Sequence, residues 1–244
     1  MQSKFILKST DGCTRYCVAA VVLFMEEFML LYFVRHGETV WNAEGRLQGE
    51  MDVPLNERGI LLAKLTGEGL KEVSFDLAIS SPLSRAADTA QIILGERKIP
   101  LILEPRIQEI RWGVWEGLCA GKDNFEIPDK EFHKFYTDPF HFKGAPGGET
   151  IIQVCKRTGE FYHELISNKQ YRDKTILIST HGCAVRGILN KIYPDPGDFW
   201  QSGVPVNCAV NIVKVEEKSM FIKKDMIFYD QSYVRDSYHL VEDL

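Results

Sequence analysis

The chain predicts an α/β layer fold with a largely parallel central sheet. Short apolar runs alternate with amphipathic stretches along most of its length, as in chains of strand-helix units. Two of those runs end in related ways, Val34 leading into Arg-His-Gly and Thr180 into His-Gly. At 244 residues and 45% hydrophobic content, the chain suits one globular domain with a substantial core.

The elements follow in order. Leu30 to Val34, LLYFV, is a compact apolar run suited to a buried strand. Glu57 to Val73 carries apolar residues at helical spacing, with Asn56 placed to cap it. Phe75 to Ser80 reads as the next strand. In SPLSRAADTAQIIL, Ser81 can cap a helix and Pro82 fits its first position. Ile99 to Glu104 is a further strand. Glu116 to Gly148 is richer in aromatics, glycine and proline, and reads as an inserted helical excursion with DKEFHKFY as its best helix. Glu149 or Thr150 can start a helix running to about Ser167. Lys174 to Thr180 is a strong strand, and HGCAVRGILNKIY a helix. VNCAVNIVKVEE and SMFIKKDMIFY form a late strand pair that turns at Glu217 to Ser219.

Residues 1–28 read as an extension that the domain, 29–244, does not need, with Met29 as an alternative start. An anchor or export signal is the competing reading. The apolar stretch Val18 to Met25 is short, Glu26 and Glu27 follow it, and no A-x-A cleavage pattern is present.

The formal net charge of -5, with no Lys/Arg-rich block, excludes an obvious nucleic-acid partner. Cysteines stand at 13, 17, 119, 155, 183 and 208, with no C-x-x-C pair and no zinc-site spacing. A reducing, cytoplasmic setting is the simpler expectation. No cysteine has an arginine six positions later, so a cysteine-phosphatase loop is absent.

Open α/β sheets bind ligands beyond the carboxyl ends of their strands. Three strand ends here deliver Arg35, His36, His181 and Arg85 toward one rim, provided the strands are neighbours. Arginine forks match phosphate oxygens. Helix N-termini after Gly37, Ser81 and Gly182 would add backbone N–H groups. A histidine anchored through one ring nitrogen can attack through the other. A phosphate monoester suits these parts best.

Four strings together resemble the histidine phosphatase superfamily, the phosphoglycerate mutase-like family: RHGETVWNAEGRLQG with DVPLNERG after it, SPLSRAADTA, EIRWGVWEG and THGCAVR. The resemblance runs from about Leu30 to at least Val215. It implies a three-layer α/β/α fold and assigns phosphorylation to a ring nitrogen of His36. It gives phosphoryl binding to Arg35 and Arg85, with His181 as a further donor. Asn42 matches a phosphate-pocket residue, Gln48 a residue near the substrate mouth, and Glu109 the acid that protonates the leaving oxygen. No metal or cofactor is implied. EIRWGVWEG is similar to the broad-specificity and α-ribazole phosphatase branch, which favours a phosphomonoesterase acting on a small phosphorylated metabolite. The alternatives are a cofactor-dependent phosphoglycerate mutase and a non-catalytic phospho-ligand binder. No stable membrane association is expected, and a homodimer is left open.

Overall fold

The computed structural model describes residues 28–121, 124–201 and 203–234. Residues 1–27, where the reading of an N-terminal extension falls, lie outside them. Strands β1 (Met29–Arg35), β2 (Leu77–Ser80), β3 (Leu101–Leu103), β4 (Thr175–Thr180), β5 (Val210–Val215) and β6 (Ser219–Met226) form one sheet ordered β3-β2-β4-β1-β5-β6. From β3 to β1 all neighbours are parallel; β5 and β6 continue the sheet antiparallel. The sheet is therefore largely parallel, as expected, with the late strand pair as its antiparallel edge.

Alternation along β1 shows how the layers form. Leu31 and Phe33 join one core with Phe161 and Leu165 of helix α5 (Ile151–Ser167) and Val185 and Ile188 of α6 (Gly182–Leu189). Tyr32 and Val34 join the opposite core with Leu70, which follows α2 (Glu57–Gly69), and with Ala90 and Ile93 of α3 (Ser84–Leu94). Side chains two apart on a strand share a face, so one strand serves two helical layers. The three-layer architecture follows from that period.

Several helix ends obey local chemistry. Asn56 accepts from the Gly59 N–H and caps α2, and Thr150 forms a reciprocal capping box with Gln153 at the start of α5. The start of α3 departs from expectation. It begins at Ser84, and the carboxylate of Asp52 accepts both its backbone N–H and its hydroxyl, each at 2.8 Å. The hydroxyl of Ser81 instead lies 2.8 Å from Nε2 of His181. Ser81 keeps only a long bond from the Leu83 N–H, 3.4 Å, and the tertiary partner Asp52 caps the helix.

The stretch expected as the helix DKEFHKFY is helical only in α4 (Lys134–Thr137), which follows a short α1 (Val40–Ala43) in the same order of elements. Its aromatics Phe132 and Phe135 pack with Phe142, Trp112, Trp115 and Trp200 in a separate cluster beside the sheet. Ring packing, rather than helix propensity, sets the backbone there. Among the described residues, no helix is long and apolar enough to cross a membrane.

Candidate active site

The strand ends coincide. In the register of β1 with β4, Arg35 pairs with Thr180; in that of β2 with β4, Ser80 pairs with Ser179. His36 and His181, which follow Arg35 and Thr180, therefore emerge at one level on adjacent strands, and Ser81 emerges one residue short of them on the third. The rings of His36 and His181 lie 5.1 Å apart, centroid to centroid. Arg35, His36, Asn42, Gln48 and Glu109 line a common cleft of about 110 Å³. Arg85 touches His181 from behind. Arg85 and His181 are fully buried and do not line the cleft themselves; they reach it through the contact of the His181 ring with His36.

His36 is held by its backbone and by one ring nitrogen. Its backbone N–H donates to Thr180 O at 2.8 Å, and its carbonyl accepts from Nδ2 of Asn207 at 3.0 Å. Its Nδ1 lies 2.7 Å from the carbonyl of Gly37. A carbonyl can only accept, so Nδ1 carries the proton and Nε2 carries the lone pair. Burial, then the charges of Arg85 and Arg35, push its pKa well below the usual 6.5. The ring is neutral at pH 7.

His181 is fully buried, and burial followed by Arg85 lowers its pKa well below 6.5. Nε of Arg85 lies 3.3 Å from its Nδ1, so Nδ1 accepts; Nε2 then donates to Ser81 Oγ. The expected phosphoryl donor thus offers no spare N–H in this arrangement. A similar correction applies to the helix N-termini. The N–H of Gly37 donates to Thr89 Oγ1, that of Ser84 to Asp52, and those of Cys183 and Ala184 to Glu109. Side chains have satisfied donors that looked open to a ligand.

Arg85 is completely buried yet charged; burial lowers its pKa to about 10, against the pull of Glu109, Asp52 and Glu116. Its Nη1 donates to Met51 O at 2.8 Å and its Nη2 to Gly49 O at 2.6 Å. Those two peptides are themselves pinned, since Oε1 of Glu116 accepts the N–H of Gly49 at 2.6 Å and of Met51 at 3.1 Å. A Cβ at Gly49 would come within 2.3 Å of Ile110 O, so only glycine fits. With Nε also engaged, two of the five N–H groups of the guanidinium remain for a ligand. Arg35 donates through Nη1 to Pro205 O.

The carboxylate of Glu109 accepts from the N–H groups of Ile110, Cys183 and Ala184 at 2.9 to 3.1 Å. Its loop is bolted to α5 by Arg157, which donates to the carbonyls of Arg106, Gln108 and Glu109 and pairs with Glu149. Asn42 accepts from Asn207 through Oδ1. Gln48 accepts from Thr39 Oγ1 at 2.8 Å through Oε1, while its buried Nε2 has no protein acceptor.

Ser81, Asn207, Glu116 and the Arg157–Glu149 pair were not singled out for the site by sequence. Glu116 had a signal, since it closes the same EIRWGVWEG string as Glu109. Asn207 and Arg157 had none, because each acts on backbone atoms distant along the chain. Among the described residues, no cluster of three or more His, Cys, Asp or Glu side chains could hold a metal ion.

The family model of the histidine phosphatase superfamily (branch 1) matches residues 31–225. The chain belongs to that superfamily. It is 32% identical over 195 residues to phosphoserine phosphatase 1 of Hydrogenobacter thermophilus, covering 80% of this chain and 90% of that protein. It is also 32% identical over 167 residues to 2,3-bisphosphoglycerate-dependent phosphoglycerate mutase 2 of Gloeobacter violaceus, covering 67% and 75%. The alpha-ribazole phosphatase from Shigella flexneri superposes with a TM-score of 0.71 at 24% identity, over 81% of this chain and 96% of that one, a likeness of fold.

Both buried histidines bind protons more weakly in the folded chain than in the unfolded one. Their contribution to stability is complete above pH 6.5 and is lost as pH falls from there through the lowered folded-state values. Urea unfolding between pH 7 and 5 is expected to show stability falling by up to ~1.4 kcal/mol per pH unit for each histidine. The slope is expected to be shallower in His181→Asn. Separately, Glu116→Ala frees the peptides that grip Arg85. Calorimetry is expected to show inorganic phosphate binding weakened roughly tenfold, or ~1.4 kcal/mol. Glu116→Gln, which keeps the accepting oxygen, is expected to restore most of that loss.

Proposed function

We propose that the chain is a phosphomonoesterase that hydrolyses a small phosphorylated metabolite through a phosphohistidine on Nε2 of His36. The observation that carries this reading is the bond from His36 Nδ1 to the Gly37 carbonyl. It holds the ring in the tautomer whose lone pair sits on the other nitrogen, and burial keeps that nitrogen unprotonated. Membership of a phosphatase superfamily supports the same reaction class.

The chemistry follows in two displacements. Nε2 of His36 attacks phosphorus as the ester P–O bond breaks, and Glu109 in its acid form gives its proton to the departing oxygen. The three N–H groups around Glu109 stabilise the carboxylate that results. The carboxylate then takes a proton from water as the water oxygen attacks phosphorus. The N–P bond breaks, phosphate leaves, and His36 regains its lone pair. Arg35 and the two uncommitted N–H groups of Arg85 hold the phosphoryl oxygens throughout.

His181 takes part through Arg85. In its neutral form, which burial and the neighbouring Arg85 favour, its Nδ1 accepts from Nε of Arg85 and so orients that permanent charge beside His36. Enzymatic rate factors for phosphate monoesters reach ~10^21. General acid catalysis supplies about 10^2 to 10^4 of such a factor, so most of the acceleration rests on these cations. No step calls for a metal. In this reading residues 29–244 form the catalytic domain, the 116–148 segment walls the cleft, and the first 28 residues are not needed for turnover.

The likeness to the Gloeobacter mutase favours a second reading, phosphoglycerate mutation. Interconversion of phosphoglycerates that depends on 2,3-bisphosphoglycerate would select it over hydrolysis. For the phosphatase, His36→Ala is expected to abolish hydrolysis of p-nitrophenyl phosphate and the acid-labile phosphoenzyme, with activity unchanged by chelator in the parent protein. Retained turnover in the variant would remove His36 as nucleophile. Glu109→Gln is expected to slow alkyl phosphates by about 10^2-fold or more, and p-nitrophenyl phosphate less, since nitrophenolate leaves without a proton.

A further inference from the structure

The side chain of Asn207 is buried and joins two parts of the site that are distant from it along the chain. Its Nδ2 donates to the carbonyl of His36 at 3.0 Å and to Oδ1 of Asn42 at 3.3 Å. Backbone groups settle which way both amides face. The His36 carbonyl can only accept, so Asn207 turns its nitrogen toward it. The Thr39 N–H can only donate, and it meets Asn42 at 3.2 Å, so Asn42 turns its oxygen that way. The two hydrogens of one NH2 group therefore serve the peptide of the nucleophile and the amide of Asn42. With its oxygen taken by Thr39 and Asn207, Asn42 is left with its own N–H pair to offer the cleft that it lines.

The peptide that Asn207 grips leads directly to the anchor of the ring. The unit between His36 and Gly37 is fixed at both ends. Its carbonyl accepts from Asn207 and, at 3.3 Å, from the Cys208 N–H; its own N–H donates to Thr89 Oγ1 at 2.9 Å. The next carbonyl, that of Gly37, holds Nδ1 of His36. Rotation of the first unit would carry the second with it and turn the lone pair of Nε2 away from phosphorus. Asn207 is itself held in place. The hydroxyl of Tyr229 donates to its carbonyl. Cys208 sits at φ 58°, in the left-handed region that residues other than glycine rarely adopt. That turn brings the Cys208 N–H to the carbonyls of both Arg35 and His36. Such a conformation persists only where the surroundings impose it.

We infer that Asn207 is a positioning residue for phosphoryl transfer, whose single amide nitrogen orients the nucleophile His36 and the phosphate-binding amide of Asn42 together. The inference rests on the phosphatase reading and adds to it a residue that does not line the cleft. Asn207 acts on kcat through the ring of His36. It acts on phosphate affinity through Asn42, whose amide is free to turn its oxygen toward the anion once the NH2 group is gone.

The test is a double-mutant cycle on the full chain, read by calorimetry of inorganic phosphate binding and by turnover of p-nitrophenyl phosphate. Asn207→Leu keeps nearly the size and shape of the side chain and removes both donors. It is expected to weaken phosphate binding about tenfold, the lower end of what one hydrogen bond to a charged group is worth. It is also expected to lower kcat at least about tenfold. In an Asn42→Ala background the same substitution is expected to change phosphate affinity by less than about twofold, while the fall in kcat persists. General damage to the fold would weaken binding by the same factor in both backgrounds. Tyr229→Phe, which leaves both amides in place, is expected to lower kcat less than Asn207→Leu does. Should Asn207→Leu fail to fold, Asn207→Ser removes both contacts with less bulk and carries the same expectations. Equal losses of affinity with and without Asn42, or kcat and affinity unchanged in the Asn207 variant, overturn the inference. No turnover by the parent protein overturns the phosphatase reading. The binding cycle needs no turnover and still decides the pairing of Asn207 with Asn42, which coupling upholds and independence overturns.

Discussion

Everything at the site depends on β2, β4 and β1 running parallel and stopping together. Parallel neighbours in register place His181 and His36 level with each other, with Ser81 one residue short of them. Both flanking strands hydrogen-bond to β4, so neither can slip without exposing core residues such as Phe33 or Ile178. The hydrophobic core thereby holds the two histidines in place. The price is that cations must sit at the end of a closely packed sheet, where water is excluded.

Burial of charge is handled by carbonyls and carboxylates rather than by solvent. Arg85 has no exposed surface, yet Gly49, Met51 and His181 accept its protons, and Glu116 holds the first two in place. Arg157 performs the matching task on the other side of the cleft by gathering three carbonyls of the Glu109 loop. A guanidinium with fixed partners is already oriented when an anion arrives, so little reorganisation accompanies binding. The same dryness, with the arginine charges beside them, keeps both imidazoles neutral.

Elements with a strong local signal were legible in the chain. Asn56 and Thr150 cap the helices they precede because an N-cap needs only its own next turn. The strand ending at Thr180 is apolar and β-branched throughout most of its length. Legibility failed where distant groups competed. Ser81 serves His181 rather than α3, and Asp52 replaces it. The N–H groups of Cys183 and Ala184 meet Glu109 in place of a ligand. DKEFHKFY gives up most of its helix to the packing of its rings.

By itself, the order of residues determined the family, the alternation of strands and helices, and the motifs that carry Arg35, His36, Arg85 and His181. These rest on short-range periods and on motifs contiguous in the chain. Tertiary structure alone decided the tautomer of His36, the accepting role of Nδ1 in His181, the grip of Glu116 on the loop around Arg85, and the gathering of Trp112, Phe135 and Trp200 along the cleft. Each of these is a contact between segments far apart along the chain, and the partner of a polar group is settled only when folding brings the competing donors and acceptors together.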